Sequence, residues 1–399
     1  MKKLTLIAAI TFNCLLITFN LFSQPCLPEG IVFETQAQID SFQFNFPYCT
    51  EIEGDVTISG GWSGANINNL DSLYAITSIG GRLTISQNPV LLNLNGLSNL
   101  TTIGDDLWIY NNDGLTNFSG LENLTMINGD LEIIGHESLI SLSGLENINS
   151  SSINSILIRN NPSLSNCQIQ SICDYLSTLN TSIDIYANAE GCNNPSEIAS
   201  ACGFEMPCLP YGNYYFMSQY EIDNFQTDYP YCINLNGNVN IDGSDITNLQ
   251  GLNTIHTIES GLWINLCDSL TNLQGLNNLH DIGDNLELSL NQSLTSLSGL
   301  ESLTSIGGSL TIYDNMLTSI ESLENLSSIG GWLQIVYNDS LTNLAGLDNV
   351  DPNSLNQLII TNNFSLSNCE AQSICEYLVN QTEHYLLIVT HRAAIVRRK

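Results

Sequence analysis

Leu83-Thr84-Ile85-Ser86-Gln87-Asn88, continuing through Leu91 and Leu94 to Gly96-Leu97, Leu100, Ile103 and Gly104, reads L-x-I-x-x-N-x-x-L-x-x-L-x-G-L-x-x-L-x-x-I-G. The L-x-I core returns at Leu107/Ile109, Leu131/Ile133 and Ile156/Ile158. After a break it resumes at Val239/Ile241, Leu262/Ile264, Leu286/Leu288, Leu310/Ile312, Leu333/Ile335 and Leu358/Ile360. Successive starts are separated by 24, 24 and 25 residues, then by 23, 24, 24, 23 and 25. A fixed period in the twenties predicts stacked units, each burying its apolar side only against its neighbours. In L-x-I the alternate side chains face opposite ways, so Leu83 and Ile85 point inward and Thr84 outward. Polar Asn, Ser and Gly then turn the chain. The expected fold class is mainly β: a stacked coil, or solenoid, of about 24-residue rungs.

The second half of the chain restarts the first. Cys26-Leu27-Pro28 returns as Cys208-Leu209-Pro210, Pro47-Tyr48-Cys49 as Pro230-Tyr231-Cys232, and Ser171-Ile172-Cys173 as Ser373-Ile374-Cys375. Two tandem domains are therefore expected, 25–203 with five rungs and 204–381 with six. Each opens with a short capping helix, N-capped by Thr35 or Ser218, and closes with a second helix that covers the end of the stack. Residues 1–24 have the layout of a secretory signal peptide: Lys2 and Lys3, an apolar run from Leu4 to Leu21, then Ser23 and Gln24. Residues 382–399 form an atypical basic tail, as though truncated or fused, in which Tyr385, Leu387 and Val389 could fill a last strand matching Ile183 and Ile185.

Composition narrows the function. The chain carries 8 basic and 40 acidic residues, a formal net charge of −32. Between Pro25 and Gln381 only Arg82 and Arg159 are basic, against 39 acids, all but Glu383. Nucleic acid is excluded as a partner because nothing neutralises phosphate. An anionic membrane surface is excluded for the same reason, and no membrane insertion is expected once the leader is removed. The acidity keeps a repetitive chain soluble and leaves open a cationic partner or bound calcium.

The fifth position after each first Leu forms a column: Asn88, Asn112, His136 and Asn161, then Cys267, Asn291, Asn315, Asn338 and Asn363. A buried amide there can bond the turn backbone of adjacent repeats, so these are read as a structural ladder. Eleven cysteines remain after the leader, and an exported protein is expected to oxidise them. Cys26–Cys49 and Cys208–Cys232 would staple the opening helices. Cys167 and Cys173, read as one helix, are too far apart to pair with each other, which leaves Cys192 and Cys202 as their partners. Cys369 and Cys375 have lost such partners.

These features resemble the receptor L domain, which implies a right-handed leucine-rich β-helix, and most closely its bacterial version in surface and secreted proteins. There the words L-T-S-I-G-G-x-L-x-I and L-T-S-L-x-G-L recur much as in Leu303–Ile312 and Leu294–Leu300. The resemblance covers about residues 26–380 and implies a non-catalytic binding or adhesion module at the cell surface or beyond it. Its partner would be an unknown extracellular protein or polysaccharide. Ordinary leucine-rich repeats, with a similar L-x-x-N word, are the alternative fold. The alternative functions are a carbohydrate-active β-helix enzyme and a purely structural surface spacer.

No nucleophile–His–acid constellation can be read, and no metal or cofactor is expected. Asp105-Asp106, Asp130 and Asp284 sit beside Gly, where solvated turns are the default. The candidate ligand-binding residues are outward aromatics of the first strand: Trp108 and Tyr110, Trp263 in the place of Trp108, and Tyr313 and Tyr337. Rings on a flat sheet are what a sugar or a protein surface stacks against.

Overall fold

A computed structural model describes residues 25–61, 67–178, 182–206, 208–209, 212–367, 371–380 and 387–389, with Asn380 and 387–389 as backbone only. Residues 1–24, Cys369, Tyr385 and the tail apart from 387–389 lie outside these residues.

The L-x-I words form strands of four to six residues that pair in parallel, one repeat to the next. Leu83, Leu107, Leu131, Ile156 and Ile183 stand in one register row, and Ile85, Ile109, Ile133, Ile158 and Ile185 in the next but one. All of them are buried, while Thr84 between them is half-exposed. The first long sheet has seven strands, adding Ile31–Phe33 and Val56–Ser59 before Leu83–Ser86 and Ile183–Asn188 after the last word. The second has eight, from Tyr214–Phe216 to Leu387–Val389. In that last strand Ile388 stands opposite Ile360, with Leu387 opposite Ile359 and Val389 opposite Thr361. The expected match of Leu387 and Val389 to the inward rows is thus one residue out of register.

The expected mainly-β right-handed β-helix is corrected. The described strands form four separate parallel sheets, two long and two of five two-residue strands each, accompanied by five α-helices. Among the described residues no sheet closes on itself. Between the long-sheet and short-sheet strands of a repeat the chain runs through turns and 3₁₀ segments such as Asn95–Leu97, so strand pairing does not continue around the repeat. The arrangement is α/β-like, with parallel sheets and helices. One apolar core takes the inward residues of long strands (Leu83, Ile85), short strands (Ile79, Ile103) and linking segments (Leu91, Leu94, Leu97, Leu100). Repeats approach so closely at Gly96 that a β-carbon there would lie 1.7 Å from the Leu70 carbonyl oxygen.

Helix α1 (Gln36–Asn45) begins at Thr35 with a reciprocal capping box to Gln38. Helices α2 (Gln170–Thr178) and α3 (Pro195–Cys202) follow in the first half, and α3 is capped by Asn194 with Pro195 in its first turn. Helix α4 (Gln219–Asp228) starts after Ser218, whose hydroxyl makes no cap bond; it donates instead to Glu221 at 3.2 Å. Helix α5 spans Gln372–Asn380. Cys167 precedes α2 rather than sharing a helix with Cys173. Where the long sheets meet, Tyr186 stacks on Tyr215 with centroids 3.7 Å apart, and Asn213 Nδ2 donates to Asp184 at 3.0 Å.

Candidate functional site

Each long sheet presents two outward rows. In the first sheet one row runs Thr84, Trp108, Glu132, Leu157, Asp184, and the other Ser86, Tyr110, Ile134, Arg159, Tyr186. In the second sheet they run Asn240, Trp263, Glu287, Thr311, Gln334, Ile359 and Asp242, Asn265, Ser289, Tyr313, Val336, Thr361. Strand alternation sends these side chains away from the core. Trp108 and Tyr110 lie together, with centroids 5.9 Å apart. Tyr313 and Tyr337 meet edge to face at 5.6 Å. Trp263 stands apart from both pairs, two strands before Tyr313.

The two tryptophans have different surroundings. The Arg82 guanidinium lies 3.6 Å from the Trp108 ring centroid, and Arg82 Nε donates to Asp106 Oδ2 at 2.9 Å. Trp108 is therefore already stacked from within the chain. Its Nε1 is buried with no hydrogen-bond partner among the described residues. Tyr110 donates its hydroxyl to Glu132, and burial followed by that carboxylate pushes its pKa far up. Trp263 has Asn238 where Trp108 has Arg82, and Gly261 where Trp108 has Asp106. Its indole lies over Gly261, where a β-carbon would come within 2.2 Å of Cη2.

Tyr337 projects just past its strand with 46% of its surface exposed. It adopts φ 60°, one of nine non-glycine residues with φ of 51–61° that directly precede the column position or its continuation at Asn188. The left-handed region costs about 1 kcal/mol or more per residue, and here the column itself holds each turn. Asn112 Oδ1 accepts from Asn88 N at 3.1 Å, and Asn112 Nδ2 donates to Ile85 O at 2.9 Å. His136 follows the same pattern, with Nδ1 receiving Asn112 N and Nε2 facing Ile109 O, and Asn161 Oδ1 accepts from His136 N. In the second half Cys267 N donates to Asn291, Asn291 N to Asn315, Asn315 N to Asn338 and Asn338 N to Asn363. The Cys267 thiol reaches Ile241 O at 3.6 Å. All nine column residues are buried, so their polar atoms serve the backbone.

Sequence reasoning places Arg82 near the first sheet but missed its stacking on Trp108, and it missed Glu132 and Glu287 as parts of this face. One signal was available: an acid follows each tryptophan by 24 residues, Glu132 after Trp108 and Glu287 after Trp263, and one period is one strand across the sheet.

The segment holding Glu287, Tyr313 and Tyr337 has a known counterpart. Residues 280–378 match the receptor L domain. No curated protein matches the chain. The receptor L domain segment covers four long-sheet strands, from Leu286–Ser289 to Gln357–Thr361, and helix α5 up to Leu378. A receptor L domain points to extracellular ligand binding. Four disulfides agree with an extracellular setting: Cys26–Cys49, Cys167–Cys192, Cys173–Cys202 and Cys208–Cys232. Among the described cysteines Cys267 is free and buried, and Cys375 is free and exposed. Among the described residues no group of three or more His, Cys, Asp or Glu is placed to hold a metal, and no helix is long and apolar enough to cross a membrane.

Proposed function

We propose that the protein is a secreted or cell-surface recognition or adhesion protein, without catalytic activity, that binds an extracellular protein or glycan on the outward face of its long sheets. One observation carries this reading: Trp263, Tyr313 and Tyr337 are displayed on a rigid parallel sheet whose other face is locked into the core. Such rings add contact area at little conformational cost. Trp108 and Tyr110 contribute less, because Arg82 and Glu132 already engage them. In the same reading 25–203 and 204–381 are two tandem units, and 1–24 is the leader that exports them.

The test is a binding screen of the purified protein against polysaccharides and matrix proteins, with released product scored in parallel. Saturable binding without product, weakened by Trp263→Ala, supports recognition. Release of a cleaved product overturns it in favour of a carbohydrate-active enzyme, and the absence of any binding favours a structural spacer.

A further inference from the structure

The protein contains its own example of how this surface holds a cation. Arg82 lies flat against Trp108 at 3.6 Å and pairs with Asp106, the only ion pair among the described residues. Its second cation, Arg159, likewise leans on an outward ring, with the guanidinium 5.9 Å from the Tyr186 centroid. Both bases of the segment from Pro25 to Gln381 are thus spent on aromatic rings of the sheet face, and 39 acids have no other internal cation to balance them.

The same position in the second sheet lacks its cation. Trp263 takes the place of Trp108 and Glu287 that of Glu132, one strand on in register. Asn238 replaces Arg82, so no guanidinium covers the indole from the preceding strand. Glu287 accepts from Ser289 Oγ at 2.8 Å, and that hydrogen bond leaves its charge uncompensated. Asp242, on the strand before Trp263, adds a second carboxylate to the face. Trp263 and Glu287 are both half-buried, so neighbouring side chains hold them while part of each still meets solvent. A ring and a carboxylate side by side, without internal cation, form a partly desolvated seat for a positive side chain.

We infer that Trp263 and Glu287 seat an arginine or lysine side chain of a basic partner protein: the indole takes the part that Trp108 plays for Arg82, and Glu287, in the register place of Glu132 rather than of Asp106, supplies the carboxylate. This rests on the sheet face being the recognition surface and names the chemistry of what it recognises. Charge selects the partner: a basic protein segment is drawn to the face over a long range, and the indole and carboxylate fix one of its side chains. A neutral glycan would use the ring and leave the carboxylate idle, and an acidic glycan would be repelled.

The experiment titrates the full-length protein with a tri-arginine peptide by calorimetry at about 150 mM salt, where long-range attraction is screened, with tri-citrulline as the uncharged isostere. Tri-arginine should bind saturably and tri-citrulline should not. Trp263→Ala and Glu287→Gln should each weaken binding about tenfold. Glu321→Gln, which removes the same charge from an exposed 3₁₀ segment, should change it less than about twofold. Arg82→Ala, a half-exposed site whose loss vacates Trp108 and Asp106, should raise the stoichiometry from one to two. Equal weakening by Glu321→Gln and Glu287→Gln would reduce the effect to bulk charge and overturn the assignment, as would equal binding of tri-citrulline. If tri-arginine fails while a glycan or matrix protein binds through Trp263, the cationic class is wrong and the recognition face stands. If nothing binds at that face, both readings fall.

Discussion

The imidazole of His136 accepts the backbone N–H of Asn112 at its Nδ1, 3.1 Å away, and turns Nε2 toward the Ile109 carbonyl at 3.0 Å. These are the two bonds an asparagine makes elsewhere in the column, one accepted and one donated. They require the neutral ring with its proton on Nε2. Burial lowers the His136 pKa below its ordinary 6.5. Above about pH 6.5 the ring is neutral whether folded or not, and the fold keeps its full stability. Below it the unfolded chain takes up a proton that the fold refuses, so stability falls as pH drops toward the lowered folded pKa. His136→Asn should flatten this part of the curve of melting temperature against pH. Parallel curves for the two proteins below pH 6.5 would count against it.

Asp228 titrates in the opposite sense. Burial, and then the charge of Glu197, raise its pKa from 3.8 to about 6. The fold therefore binds more protons than the unfolded chain between those values, and stability falls as pH rises through them. Asp228→Asn should stabilise the protein by about 1 kcal/mol at pH 7, a figure discounted for partial exposure, and by less near pH 4. Its side-chain oxygen can still accept from Asn194 Nδ2, now 3.1 Å from Oδ2. Equal melting-temperature differences at both pH values would contradict the assignment.

Removing a column amide should be costly. Asn315 Oδ1 accepts from both Asn291 N and Asn291 Nδ2, and Asn315 Nδ2 donates to Leu288 O. Asn315→Ala leaves a buried N–H and a buried carbonyl unpaired, at about 1–3 kcal/mol each. A urea midpoint within error of the parent would show that water or backbone movement replaces these bonds.

Cys267 offers the converse experiment. Its thiol donates weakly to Ile241 O at 3.6 Å, where the asparagine of the next repeat donates to Ile264 O at 2.8 Å. Cys267→Asn should raise stability by about 1 kcal/mol, read as a higher urea midpoint. A lower midpoint would mean that the pocket has closed around the smaller sulfur.

The disulfides should matter more than any single column bond. The Cys26–Cys49 link spans 23 residues and ties the first strand to the segment that leaves α1. Cys26→Ser with Cys49→Ser should cost about 3 kcal/mol, measured by chemical denaturation under oxidising conditions. A midpoint unchanged in the double variant, with the other three disulfides intact, would show that this link adds nothing to stability.

The L-x-I period makes strand pairing legible in the residues alone, because a constant spacing puts Leu83, Leu107 and Leu131 in one row. Which of Cys167 and Cys173 joins Cys192 and which joins Cys202 is not legible in the residues; the structure pairs Cys167 with Cys192 and Cys173 with Cys202. The period carries no information on whether backbone pairing continues around a repeat, and there the expected β-helix gave way to four separate sheets. The left-handed turns were equally hidden. Residues as unlike as Gln87, Leu266 and Tyr337 share that conformation, since the following residue's hydrogen bonds impose it rather than their own preference. At the candidate face, alternation alone identifies outward rings. That Arg82 covers Trp108 while Trp263 has no such cover depends on side-chain placement across two strands, beyond the reach of a one-dimensional pattern.

The amide column also gives the molecule a direction. In the first half every member passes its own N–H to the repeat that follows and receives one from the repeat before, from Gly60 to Asn88 and on to Asn188. This one-way relay ends when Asn188 gives its N–H to Asn193, whose amide in turn donates to Glu221 at the start of α4. The column is therefore polar along its length: each repeat's backbone donor is met by the repeat after it, and the link from Asn193 to Glu221 joins the end of the first column to the first helix of the second half.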